Sequence, residues 1–255
     1  MCVMRSSISF WGGGGRDRQA LENGQRQSVL SSILIAGASR GIGREFVRQL
    51  VEKGWRVLAT ARDQAGCAAL AELGAEPFIL DITDDRSIAA LAANLGSTPL
   101  DAVLANAGIS GDQSMPMEAV TWAEMHRVMD TNTLSAVLLV AALKPNLLAG
   151  ERRLALGMSS LMSSISSNNW GTQYCYRASK TALNAMWRSL ADEWRADGIT
   201  CALLRPGFVK TDMTDHSDRG LDVDVSVAGM VRVIEQLALE DTGRCISFDG
   251  KDVPW

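Results

Sequence analysis

A glycine-rich turn set between a short apolar run and a helical pattern narrows the fold more than any other stretch of the chain. Ile33-Leu34-Ile35-Ala36 reads as a buried strand. Gly37-Ala38-Ser39-Arg40-Gly41-Ile42-Gly43 follows at once, and Phe46, Val47 and Leu50 then recur at helical intervals up to Gly54. Glycines let the backbone approach a ligand closely, and the start of a helix offers free N–H groups and a partial positive charge. Strand, glycine turn and helix in that order make a cradle for a dinucleotide pyrophosphate. The glycine spacing alone would say little; its place in the chain gives it meaning.

The alternation continues downstream. Strands are expected at 55–60, 78–81, 100–105, 154–158, 199–204 and 245–248. Helices are expected at 65–73, 87–95, 117–148 (interrupted near Pro145), 174–196 and 227–239. Strands separated by helices imply a parallel sheet covered on both faces, with right-handed connections. The expected fold class is therefore α/β, a single Rossmann-like doubly wound parallel sheet with helices on both faces. No internal repeat or second boundary interrupts it, so residues 31–255 read as one NAD(P)-binding catalytic domain. Residues 1–30 contain Gly12, Gly13, Gly14 and Gly15 followed by a polar stretch. They read as a flexible extension, or as a start codon assigned too early, since no apolar segment of signal-peptide length precedes the glycines.

A net charge of −4 supplies no basic field, which argues against a nucleic-acid partner. The longest clean apolar run, residues 136–143, is far short of the roughly 18 residues needed to span a bilayer. Five scattered cysteines without a CxxC spacing fit buried thiols in a reducing compartment, hence the cytoplasm. His126 and His216 have no ligand-like neighbours at metal spacing, so no metal is expected.

The chain has only two tyrosines, and one of them, Tyr176, lies four residues before Lys180 in a helical segment. Residues so spaced share a helix face. A neighbouring ammonium favours the ionised phenol, which suits proton transfer near neutrality. At the end of the second expected strand stand Arg62 and Asp63. An acid there would bind ribose hydroxyls, whereas an arginine accommodates a 2′-phosphate. Asp63 opens a helical stretch, where capping is its ordinary role, and Arg40 adds a second cation. NADP(H) is therefore the expected cofactor, with NAD(H) as the alternative.

Four motifs, the glycine turn, Asn106-Ala107-Gly108, Tyr176-x3-Lys180 and Pro206-Gly207, stand in an order and at intervals that resemble the short-chain dehydrogenase/reductase family over about residues 32–255. Residues 176–184 and the ending 248–255 are similar to its C-factor-type carbonyl reductase subgroup. Three positions depart from the pattern: Ala36 replaces a threonine, Ala105 the first of two asparagines, and Ser163 a glycine. The resemblance implies that Tyr176 protonates the carbonyl oxygen as hydride arrives. Lys180 then lowers the phenol's pKa and holds the nicotinamide ribose, and Asn132 holds a water that relays protons to Lys180. It also implies that Gly37, Ser39, Arg40, Gly41, Ile42, Gly43, Arg62, Asp81, Ile82, Asn106, Ala107, Gly108, Tyr176, Lys180, Pro206, Gly207, Val209 and Thr211 line the dinucleotide. Asp81 would contact the adenine, with helix capping as its alternative.

Two serines compete for the hydroxyl that contacts the substrate oxygen. Ser163 precedes Tyr176 by the interval commonest in the wider family. Ser160 is the expected residue, because it continues the strand face of Leu154, Leu156 and Met158 and a strand end holds a group more firmly than a loop. Leu183, Met186, Trp187, Leu190 and Trp194 form an apolar stripe that faces either the sheet or a second copy, so a homodimer is compatible with it. Met115, Met117, Trp170, Phe208 and Met213 lie in the loops expected around the substrate. The expected function is NADPH-dependent reduction of a small aldehyde or ketone to an alcohol. The alternatives are a dinucleotide-binding signalling protein of the same fold and an NAD-linked alcohol dehydrogenase.

Overall fold

Strands covered by helices on both faces have no polar face, so their sequences are apolar runs that pair edge to edge in the interior. The computed structural model describes residues 31–255; the expected extension, residues 1–30, lies outside them. Strands β1 (Ser32–Ala36), β2 (Arg56–Ala61), β3 (Glu76–Ile79), β4 (Ala102–Ala105), β5 (Leu154–Met158), β6 (Thr200–Arg205) and β7 (Cys245–Ser247) form one sheet. Their order is β3-β2-β1-β4-β5-β6-β7, and every pair is parallel. The helices are α1 (Gly41–Glu52), α2 (Gln64–Ala71), α3 (Asp85–Leu95), α4 (Trp122–Met129), α5 (Ser135–Ala142), α6 (Lys144–Ala149), α7 (Tyr174–Trp194) and α8 (Val223–Gln236). This is the Rossmann-like doubly wound sheet that the alternation predicts.

Side chains alternate across each strand, so the sheet divides two cores. Ile33, Ile35, Leu104 and Leu156 pack with Phe46 and Leu50 of α1 and with Met230 and Ile234 of α8. Leu34, Val103, Ala155 and Leu203 pack with Leu91 of α3, Leu139 of α5 and Trp187 of α7. Each fully buried large side chain contributes about 1.5–3 kcal/mol. The stripe on α7 faces this second core: Leu183, Trp187, Leu190 and Trp194 are buried, whereas Met186 lies off the stripe and is exposed.

Register sets the functional edge. Ala36 pairs with Ala105, Ala105 with Gly157, and Met158 with Leu204. The carboxyl ends of β1, β4, β5 and β6 are therefore level, and the turns that follow them open on one side. At the opposite edge the buried Asp101 carboxylate accepts hydrogen bonds from the backbone N–H groups of Ser32 (2.8 Å), Glu151 (2.9 Å) and Arg152 (3.1 Å).

Several boundaries differ from expectation. β3 runs over Glu76–Ile79 rather than 78–81, because it is an edge strand anchored to β2 by an Arg56–Glu76 ion pair (2.7 Å), while Leu80 and Asp81 already turn away. The region 117–148 is broken into α4, a π-helical turn (Asp130–Leu134), α5 and α6. Pro145 stands in the first turn of α6, where its missing N–H costs nothing. α8 starts at Val223 and ends before the extended Leu237 (ψ 137°), so Leu239 belongs to a separate 3₁₀ turn. Cys67, Cys175, Cys201 and Cys245 are buried free thiols. Among the described residues, no helix is long and apolar enough to cross a membrane.

Candidate active site

The glycines of the first turn work inward. A Cβ on Gly37 (φ +79°) would lie 2.7 Å from Ala107 Cα, and one on Gly43 would lie 2.2 Å from the Gly37 carbonyl oxygen. Only glycine lets the turn fold onto both α1 and the loop after β4. Asn106 Nδ2 fastens that contact by donating to the Gly37 oxygen (2.8 Å), and Thr60 Oγ1 accepts from Gly37 N (3.2 Å). Arg40, at the N-cap of α1, provides no capping hydrogen bond, and no acid occupies the first turn. The uncapped N–H groups of Gly41, Ile42 and Gly43 thus suit an anion at the functional edge. Thr211 borders the same turn, with its methyl 3.7 Å from where a Cβ on Gly41 would stand. Ser39 lies beside the start of α2, next to Gly66. The Pro206 oxygen accepts from Ser226 Oγ (2.6 Å), Gly207 takes φ +85° against Leu221, and Val209 bridges to Leu221.

The end of β2 separates its two charged residues. Asp63 caps α2, its carboxylate accepting from Gly66 N (2.7 Å). Arg62 is exposed and near Asp81, whose carboxyl pKa is lowered first by hydrogen bonds from the Thr83 side chain and backbone and least by the charge of Arg62. Asp81 does not cap α3; Asp84 does, accepting from Arg86 N (3.0 Å). Ile82 is buried in the second core. Arg40, also exposed, pairs with Asp212 (3.1 Å) across the loop after β6.

Tyr176 and Lys180 occupy successive turns at the start of α7. The buried Lys180 ammonium donates to the Met158 oxygen at the end of β5 (2.8 Å) and stands 5.9 Å from the centre of the Tyr176 ring. Burial lowers its pKa to about 8. Burial raises the pKa of the Tyr176 phenol, and hydrogen bonding with Ser160 partly offsets the rise. The expected lowering by Lys180 is not what this geometry gives: the ammonium is turned to a carbonyl, and desolvation of the phenol is the larger effect.

β5 stops at Met158, yet Ser160 remains extended (φ −155°, ψ 159°) and its hydroxyl accepts from Met162 N (3.1 Å). Ser163 is buried one turn later. Its hydroxyl donates to the Ser160 oxygen (2.6 Å) and accepts from Asn184 Nδ2 (2.8 Å). Ser160 is the side chain that acts on the phenol's ionisation, and Ser163 is held in the interior by Asn184.

Asn132 lies in the π-helical turn between α4 and α5. Its Oδ1 accepts from Ile109 N (2.8 Å), and its Nδ2 donates to the Ile109 oxygen (2.8 Å) and to Ser179 Oγ (3.0 Å). The amide therefore clamps the loop after β4. Gly108 makes the approach feasible, since a Cβ there would stand 3.1 Å from Asn132 Oδ1 and 3.5 Å from Lys180 Nζ.

Sequence reasoning missed Thr60, Ser159, Asn184 and Gln113. Gln113 Nε2 donates to the Met213 oxygen (3.0 Å), and its Oε1 accepts from Gln173 Nε2 (3.1 Å), so one side chain ties the loops after β4 and β6 to the start of α7. Arg177 lies under the Trp170 ring (4.6 Å) and donates through Nε to the Gly171 and Thr172 oxygens, which orders the loop before α7. Met117, Trp170, Phe208 and Met213 expose apolar surface on these loops.

The short chain dehydrogenase family profile matches residues 31–222. The C-signal of Myxococcus xanthus is 38% identical over 166 residues, 65% of this chain and 99% of that protein. A 1-hydroxy-2-glutathionyl-2-methyl-3-butene dehydrogenase of Rhodococcus sp. (strain AD45) is 31% identical over 234 residues, 89% of this chain and 100% of its own length. The crystal structure of an NADPH-bound carbonyl reductase from chicken fatty liver aligns with a TM-score of 0.81 at 32% identity, covering 89% of this chain and 99% of its own.

Proposed function

This chain belongs to the short-chain dehydrogenase/reductase family, oxidoreductases acting on CH–OH and C=O groups, and we propose that it is an NADPH-dependent reductase of small, predominantly apolar aldehydes or ketones. The observation that carries the reading is the convergence of Ser160, Tyr176 and Lys180 at the carboxyl edge of the sheet, beside an uncapped glycine turn. The N–H groups of the Gly41–Gly43 turn would hold the pyrophosphate, with Arg62 and Arg40 as the cations for a 2′-phosphate and Asp63 already committed to capping α2. When bound, NADPH supplies the hydride that the carbonyl carbon accepts. Tyr176 gives its hydroxyl proton to the carbonyl oxygen, Ser160 orients that oxygen and eases ionisation of the phenol, and Lys180 holds the ribose. Asn132 keeps the Ile109 backbone in place beside Lys180. The apolar rim formed by Met117, Trp170, Phe208 and Met213 fits a substrate with few charges.

Replacing Tyr176 with Phe removes one hydroxyl and keeps the ring. Turnover of an aldehyde panel with NADPH is expected to fall about 10²–10⁴-fold or more, with NADPH binding, followed by its fluorescence, nearly unchanged. Full activity in Tyr176→Phe would defeat the mechanism. A second reading, a dinucleotide-binding signalling protein, is favoured by the likeness to the C-signal. An absence of carbonyl reduction in the unaltered protein would support it.

A further inference from the structure

Three buried polar side chains that take no part in the proposed chemistry form one connected chain around Ser160. Ser159, Ser163 and Asn184 are each 3% exposed or less. Ser159 Oγ donates to Asn184 Oδ1 (2.6 Å), Asn184 Nδ2 donates to Ser163 Oγ (2.8 Å), and Ser163 Oγ donates to the Ser160 oxygen (2.6 Å). Ser159 Oγ also lies 3.2 Å from Ser163 Oγ, but its one proton goes to the nearer Asn184 Oδ1, which leaves each hydroxyl proton of the chain a single acceptor. The residues on both sides of Ser160 are therefore gripped by a single carboxamide. That carboxamide belongs to α7, one turn beyond Lys180 and two beyond Tyr176. The backbone adds a reference to the sheet, because Ser159 N donates to the Leu204 oxygen (2.8 Å), and Ser163 N donates to the Ser160 oxygen (3.1 Å).

A strand end alone does not fix Ser160. β5 ends at Met158, and Ser160 itself lies in the segment between the sheet and a 3₁₀ turn. A hydroxyl that must meet a phenol needs placement to within about 0.5 Å, which calls for a supporting shell. An Asn at this position is well suited, because its amide offers an acceptor to one serine and a donor to the other in a fixed plane.

We propose that Asn184 is a positioning residue, which through Ser159 and Ser163 sets the Ser160 hydroxyl against Tyr176. The proposal rests on the reading of Ser160 given above and assigns its placement to α7, the element that also carries the proton donor. Ser163, which occupies a position where the family pattern has glycine, acts here as the link and not as a second substrate contact.

The test is a double-mutant cycle in the full chain with NADPH and one good aldehyde, using Asn184→Ala and Ser163→Ala, each alone and combined with Ser160→Ala. Asn184→Ala is expected to lower kcat/KM about 10–100-fold, with NADPH affinity held within about twofold. Its pH–rate limb should move upward, because the phenol loses the Ser160 interaction that offsets its burial. In the Ser160→Ala background either substitution should cost little more. Ser163→Ala is nearly isosteric and provides the answer should Asn184→Ala fail to fold. Equal losses in both backgrounds, or full activity in both single variants, would overturn the proposal. Full activity in Ser160→Ala would instead overturn the role given to Ser160, and the positioning role with it.

Discussion

Burying an ammonium disfavours its charged form, so Lys180 makes the stability of the fold depend on pH. Its pKa falls from 10.5 to about 8 on folding. Between those values the unfolded chain binds one more proton than the folded chain, and stability rises with pH across that window. Below about 8 both states are charged and the full penalty is present. Lys180→Met should therefore lose turnover yet melt a few degrees higher than the unaltered protein at pH 7, and the advantage should shrink as the pH approaches 10. Calorimetry at pH 7, 8.5 and 10 would check this; a gap that stays constant contradicts the assignment. Arg62 is the other residue with a sharp expectation. Only NADPH carries the phosphate it would pair, and charge-assisted hydrogen bonds of that type contribute roughly 1.5–3 kcal/mol. Arg62→Ala should weaken NADPH about 10–100-fold and NADH far less. Asp63, held by the α2 N-terminus, gives NADH no compensating contact. Equal weakening of both cofactors in a binding titration would reverse the cofactor reading.

At the scale of elements, the strand–turn–helix unit was legible because its constraints are local. Gly43 packs against the Gly37 oxygen and Ala38 Cα, and a run of glycines after an apolar strand records that contact directly in the sequence. Gly43→Ala puts a Cβ 2.2 Å from a backbone oxygen, so α1 must shift. We expect a loss of about 1–3 kcal/mol in denaturant melts, as for other overpacked sites, together with weaker NADPH binding; unaltered binding would show that the turn tolerates the displacement. The position of α7 and the Tyr176/Lys180 pair were legible for the same reason, since four-residue spacing is local geometry. The π-helical turn at Asn132 was not. A single wide turn is too short to leave a period of its own, and only the polar run Asp130-Thr131-Asn132-Thr133 hints at it. The Ser159–Asn184–Ser163 chain was also hidden, because it joins a loop to a helix 25 positions away. The edge strand β3 was misplaced because its residues are mostly exposed and carry little hydrophobic pattern.

Across the whole molecule, stability and chemistry sit at opposite ends of the strands. Asp101 ties β1, β4 and the approach to β5 at the amino edge, while every proposed catalytic group lies at the carboxyl edge. Asp101→Ala strands one buried and two part-buried N–H groups and is expected to cost about 3 kcal/mol or more, lowering Tm by roughly 6–12 °C. Well below that temperature kcat should be unchanged. A fall in kcat without a fall in Tm would show that the two edges communicate. The strand order has a kinetic consequence as well. A parallel partner cannot be reached through a tight turn, and β1 meets β4 only after the chain has passed through β2 and β3. Long excursions must close before their contacts repay the lost entropy, which slows folding relative to helical bundles. Since the proposed site draws on loops from Gly37 to Leu221, it comes into being only when nearly the whole sheet has zipped together. Recovery of turnover after dilution from denaturant would thus time the last docking event and not the first collapse.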